Sequence, residues 1–138
     1  MPMIDVYAPE DLFPAGSDRE LAARLTAALL HAEGVAEPGP AHTNNTGAYL
    51  HRLPASAVHT AATDQARTVR VQVLTPPGVL TRDGQRELVA EATRIVAEVS
   101  RDPSQAQRTW VLLTEAAEGG WGIAGTAFGR PEFAALLA

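Results

Sequence analysis

The chain switches between two hydrophobic periods, and it does so twice. Met3-Ile4-Asp5-Val6-Tyr7 alternates apolar and polar side chains at every second position, as a half-buried strand does. Thr68-Val69-Arg70-Val71-Gln72-Val73-Leu74 alternates in the same way, with Val69 and Val71 matching Ile4 and Val6. Each strand runs into a loop rich in proline and glycine, residues 8–16 in the first case and 75–80 in the second. A helical period follows. Leu21, Leu25 and Leu29 form one apolar stripe, and Leu88, Ala92, Ile95, Val96 and Val99 form the other. Ser17 with Glu20 three residues on predicts a capping box for the first helix, and Thr81 predicts the cap of the second. Glu37-Pro38 and Asp102-Pro103 predict where the two helices stop. A second strand then comes in each half, over 48–53 and 109–114.

Equivalent positions stand 63 to 65 residues apart along the whole length. The chain is therefore expected to be one domain, 1–138, built from two tandem β-α-β units, about 1–54 and 68–130, joined by a polar connector over 55–67. Such crossovers are right-handed and leave the strands of each unit parallel. The fold class expected is α/β (α+β): a four-stranded sheet with both helices on one face, a pseudo-twofold relation between the units, and a C-terminal hairpin or arm. That arm is the glycine-rich stretch 118–129. Val111-Leu112-Leu113 is apolar on both sides, and a sheet covered on one face must bury the other, so the chain is expected to oligomerise.

Composition narrows the chemistry. There is no cysteine among the 138 residues, which excludes disulfides and thiolate metal sites. Eleven Lys+Arg against sixteen Asp+Glu gives a net charge of -5, so no basic footprint for nucleic acid or anionic lipid is present. No apolar run approaches the roughly 18 residues that cross a bilayer, and no basic, apolar leader opens the chain, so a cytoplasmic location is expected. His31, His42, His51 and His59 lack i, i+4 spacing on any one element, and no metal is expected. Gly120-Trp121-Gly122-Ile123-Ala124-Gly125 fits G-x-G-x-x-G, yet neither a long helix nor an acidic residue about 20 positions on follows it. No dinucleotide or other cofactor is expected.

Pro2 is the sharpest candidate for chemistry. Initiator methionine is normally removed ahead of a small residue, proline included, which would leave a secondary amine at the head of the first strand. A free α-amino group has a reference pKa of about 7.7 to 8.0, and burial disfavours its charged form. Such a nitrogen is a base at neutral pH.

With Pro2 heading a β-α-β unit, and with 108–115 running into Gly119-Gly120-Trp121-Gly122-Ile123-Ala124-Gly125, the sequence resembles the tautomerase superfamily of 4-oxalocrotonate tautomerase in its fused, two-unit form. Trp121 takes the place of the aromatic in that family's glycine-rich hairpin. The resemblance implies a homotrimer, Pro2 as general acid/base, an aromatic pocket wall and arginines that hold a substrate carboxylate. The family's arginine positions fall on Gly16, Gly47, Leu80 and Trp110, none of them basic, and the loop 75–79 carries none either.

Substitutes are therefore sought elsewhere. Arg70 and Arg108 each offer the bidentate guanidinium fork that suits a carboxylate. Tyr49 and His51 share one strand face, as do Trp110, Leu112 and Thr114 in the second unit, and these faces are candidate pocket walls. The function expected is a cofactor-independent keto-enol tautomerase acting on a small 2-oxo or 2-hydroxy-dienoate acid, with Pro2 shuttling the proton and Trp121, Trp110 or Tyr49 excluding water. Two alternatives stay open. One is a hydratase or dehalogenase-like lyase in which Glu115 activates water, and the other is a non-catalytic trimeric scaffold.

Overall fold

The computed structural model describes every residue from Met1 to Ala138. Strands β1 (Met3–Pro9), β2 (Gly47–Leu53), β3 (Val69–Thr75) and β4 (Thr109–Glu115) form one mixed sheet in the order β2-β1-β3-β4. The outer pairs β1/β2 and β3/β4 are parallel, and the inner pair β1/β3 is antiparallel. Val6 faces Val71 at the centre of that inner pair. These two residues are also each other's counterparts in the repeat, so the pseudo-twofold axis passes between them.

Helices α1 (Asp18–Ala32) and α3 (Arg82–Ser100) make the two crossovers and lie on one face of the sheet. Their stripes meet Ile4, Val6, Val69, Val71 and Val73 in a single core, where Leu21, Leu25, Leu29, Leu88, Ile95 and Val96 are buried. Each such side chain contributes about 1.5–3 kcal/mol by leaving water. The other sheet face is open, with Tyr49, Trp110 and Leu112 exposed by 59%, 50% and 44%. No helix is long and apolar enough to cross a membrane.

Several local expectations are corrected. Thr81 caps α3 as expected, accepting from the Gly84 N–H at 3.0 Å. Ser17 does not cap α1. Its backbone is already helical (φ -83, ψ -3), so the side chain loses N-cap geometry and its hydroxyl donates back to the Pro14 carbonyl at 2.6 Å. Pro38 does not end α1 either, because Gly34 does so first. With φ +83, Gly34 closes a Schellman motif in which Gly34 N–H reaches His31 O and Val35 N–H reaches Leu30 O, at 2.9 and 3.0 Å. The chain then makes a short helix, α2 (Pro40–Asn44), before β2.

The glycine-rich tail is a hairpin of β5 (Trp121–Ile123) and β6 (Thr126–Phe128), turned by Ala124 and Gly125, both at positive φ. A further helix, α4 (Arg130–Leu137), follows it and had no counterpart in the expected arm. Its start is tied down by Glu132, which accepts from Gly129 N–H at 3.0 Å, and by Glu118, which accepts from Arg130 N–H at 2.6 Å. Phe128 and Phe133 meet edge to face at 5.3 Å and hold α4 to the hairpin.

Candidate active site

The chain begins inside the protein. Pro2 is buried, and its carbonyl accepts from Gly47 N–H at 3.1 Å, which pins the first peptide to the head of β2. Met1 is buried as well, 4% exposed, and lines a cavity of about 350 Å³. The cavity forms where the N-terminus meets the end of α1, helix α2, the loop after β3 and helix α4. Glu33 and His42 supply its polar side, and Pro76, Pro77 and Phe133 supply apolar wall, with Arg130 at the edge.

Glu33 is the least ordinary of these groups. Its carboxylate is 4% exposed, and Oε2 takes the Met1 ammonium at 3.2 Å. Oε1 is buried without any hydrogen-bond partner. Burial pushes the Glu33 carboxyl above the usual carboxylate range, while attraction to the terminal ammonium, the hydrogen bond it donates, and His42 all pull the other way. His42 accepts from Gly39 N–H through Nδ1 at 3.3 Å, so a neutral ring carries its proton on Nε2. Arg130 is held only loosely, with Nε 3.8 Å from Glu118 and its side chain 81% exposed. Its guanidinium lies across the loop after β3, since a Cβ on Gly78 would stand 3.8 Å from Nη2. A buried acid, an amine and an exposed cation thus converge on one recess.

The residues singled out in the sequence lie in four places. Pro2 is buried one residue behind Met1; Met1 lines the cavity, and Pro2 itself does not. Tyr49, His51, Arg70 and Trp110 lie on the open face of the sheet. There Tyr7 is in register with both His51 and Arg70, and Arg70 with Trp110. The row is tightly joined: His51 stacks on Tyr7 at 4.3 Å, Arg70 sits 4.5 Å from the Tyr7 ring centroid, and His51 Nε2 is 2.7 Å from Asp5 Oδ1. This row is toward the far end of β1, because Met3 pairs with Leu74 while Tyr7 pairs with Arg70. The offset is four residues, about 13 Å.

Arg108 is farther still, just before β4 begins. Its guanidinium is occupied by Asp102, Gln105 and the Arg67 carbonyl at 3.0, 3.0 and 3.3 Å, which lock the turn ahead of the strand. Trp121 is buried, 5% exposed, in the hairpin opposite Phe128. Within one chain, none of Tyr49, His51, Arg70, Arg108, Trp110 and Trp121 lines the N-terminal cavity. Glu115, the residue of the lyase alternative, accepts from Gly78 N–H at 3.1 Å and braces the loop after β3.

Glu33, His42, Arg130 and Phe133 were not anticipated. They come from four separate segments and share no spacing. One usable signal existed: Gly129, Pro131 and Glu132 are the cap, first-turn and N3 residues of a helix, and they announce α4 and so the placement of Arg130.

No family model matches the sequence, and no curated protein matches it. Solved structures do match. A native fused 4-OT is 25% identical, covers 91% of this chain and 94% of its own, and superposes with a TM-score of 0.70. A fused 4-OT in a symmetric trimer is 17% identical, covers 94% and 96%, and reaches 0.77. Pt0534 inactivated by 2-oxo-3-pentynoate is 19% identical, covers 95% and 98%, and also reaches 0.77. The chain has the tautomerase-superfamily fold in its fused, two-unit form.

Proposed function

We propose that this chain is a cofactor-independent keto-enol tautomerase for a small 2-oxo or 2-hydroxy-dienoate acid, with the nitrogen of Pro2 as its general acid/base. The observation that carries this reading is the burial of the N-terminus. Met1 lines a recess that brings the terminal amine together with an acid and a guanidinium. Removing Met1 opens that space and converts the nitrogen of Pro2 from an amide, which has no useful basicity, into a secondary amine. The apolar walls exclude water around the proton transfer, and Arg130 supplies the bidentate fork for a carboxylate that the loop 75–79 lacks.

The active assembly proposed is a homotrimer, as in the fused 4-OT trimers, with the open sheet face buried between subunits. Tyr49, His51, Arg70 and Trp110 then lie at subunit contacts, where they complete a neighbouring pocket. Trp121 backs the hairpin beside α4, and Arg108 acts through the turn it braces.

The deciding experiment compares two preparations whose N-termini are defined by mass spectrometry, one starting at Pro2 and one retaining Met1. Enolised 2-oxo acids are the substrates. The Pro2 form is expected to turn over and to take one covalent 2-oxo-3-pentynoate adduct on its terminal nitrogen. Equal turnover by the Met1 form refutes the mechanism, and hydration or halide release in place of ketonisation moves the chain to the lyase alternative.

A further inference from the structure

We propose that Glu33 is a second acid/base of the same site, accepting the substrate's enol hydroxyl proton while the prolyl nitrogen protonates carbon. This inference rests on the tautomerase reading above and replaces a single shuttling base with two groups.

Glu33 is kept in a position that stability alone disfavours, on three counts. Its side chain is 4% exposed, and a buried carboxylate has lost its hydration. It is the C-cap residue of α1, where the negative end of the helix repels an anion. Its Oε1 is buried with no partner, although buried carboxylate oxygens normally have one. Only Oε2 is satisfied, and its partner is an ammonium carried by a residue whose removal the mechanism requires. A side chain held against such costs marks a functional position more often than a packing one.

Geometry gives that function a form. Oε2 lies 3.2 Å from the Met1 nitrogen. Removing Met1 draws the terminal nitrogen back by one residue, at most about 3.5 Å, so the prolyl nitrogen and the carboxylate end no more than about 7 Å apart. At the upper end of that range, a small planar acid fits between the prolyl nitrogen as proton donor and the carboxylate as proton acceptor, in the space Met1 vacates. The unpartnered Oε1 is then the acceptor for a hydroxyl. His42 and Arg130 are the other charged or titratable groups lining the cavity. His42 has Nδ1 engaged by Gly39 N–H, and Arg130 never gives up its proton, so neither competes for this task.

The step balances without any co-reactant. The enol O–H bond breaks and its proton goes to the Glu33 carboxylate. The enol double-bond pair takes a proton from the prolyl ammonium, a C–H bond forms, and the C–O bond becomes a carbonyl. After the product leaves and water re-enters, protonated Glu33 gives its proton to solvent and the neutral prolyl nitrogen takes one up, which resets the pair with no net change in protons. Burial, which favours the protonated carboxyl, makes Glu33 a suitable transient carrier.

The test uses full-length protein with a confirmed Pro2 terminus. Glu33→Gln, checked for folding by circular dichroism and thermal melting, is expected to lower kcat on an enolised 2-oxo acid by about 10²- to 10⁴-fold with little change in KM. The acid limb of the kcat–pH profile should disappear with it. Glu33→Asp should retain part of the rate, and formate should restore Glu33→Ala in proportion to its concentration. A Glu33→Gln rate within threefold of the wild type overturns the inference. So does a lower rate whose pH profile is unchanged and which formate does not rescue, since that is a merely structural loss. A wild-type protein that turns over none of the enols overturns the tautomerase reading itself, and this inference with it.

Discussion

The ring of His51 lies flat on that of Tyr7, 4.3 Å between centroids and 9° from parallel, on a sheet face that the chain leaves uncovered. Asp5 fixes the histidine from one side, and Arg70 covers the tyrosine from the other. Such a row presents a rigid aromatic and cationic surface flanked by exposed Trp110, Leu112 and Tyr49. Interface cores concentrate aromatic side chains and arginine, and this face has that composition, in keeping with the homotrimer proposed above.

Assembly should therefore be sensitive to charge on this face. Leu112→Glu places a carboxylate where a neighbouring subunit would dehydrate it. The expected outcome in sedimentation velocity is loss of the proposed trimer at micromolar concentration with an unchanged far-UV spectrum. A trimer that persists through the substitution would mean that subunits meet elsewhere.

Arg130 is expected to act in substrate binding. Arg130→Met keeps the aliphatic stem and removes the fork, so KM for a 2-oxo acid should rise about 10- to 100-fold while kcat changes much less. The corresponding methyl ester should lose little, because it offers no anion to hold. Equal losses for acid and ester would rule out carboxylate recognition by this residue.

Glu33 also predicts an unusual pH dependence of stability. Its folded pKa is raised, so its share of stability is complete below the unfolded value near 4.5 and is lost as pH rises through the folded value. Glu33→Gln has no such loss. Urea midpoints measured at pH 4 and pH 7 should shift in favour of Glu33→Gln as pH increases. A constant or reversed difference would contradict the burial of this carboxylate.

The core offers a plain control. Leu29 is fully buried between α1 and the sheet, and Leu29→Ala should destabilise the chain by about 2–5 kcal/mol in urea titration. A loss below about 1 kcal/mol would mean that α1 is not packed as described.

How much of this was legible in the sequence follows from the range of the forces involved. The strands and the two long helices were readable because Ile4 and Val6, or Leu21, Leu25 and Leu29, announce one buried face by local period alone. The hairpin was readable from its glycines. Ser17 misled because a capping residue is recognised by type, whereas the bond it makes depends on a backbone angle that the loop from Pro14 imposes. Pro38 misled because Gly34 had already supplied the left-handed residue that closes a helix. The N-terminal cavity was illegible in a different sense. Pro2 stands out by its position, but Glu33, His42, Arg130 and Phe133 come together beside Met1 only through the tertiary fold, and no spacing links them.

The near-exchange symmetry about Val6 and Val71 has a stoichiometric consequence. Rotating one unit onto the other carries Pro2 to Arg67, whose nitrogen is bound in a peptide and whose carbonyl holds Gln105 at 3.0 Å. The duplicated architecture thus has two equivalent ends, and only the first can present a free amine, once Met1 is removed as proposed. A covalent titrant of that amine should saturate at one equivalent per polypeptide, leaving the opposite end a silent half that evolution was free to spend on bracing the scaffold.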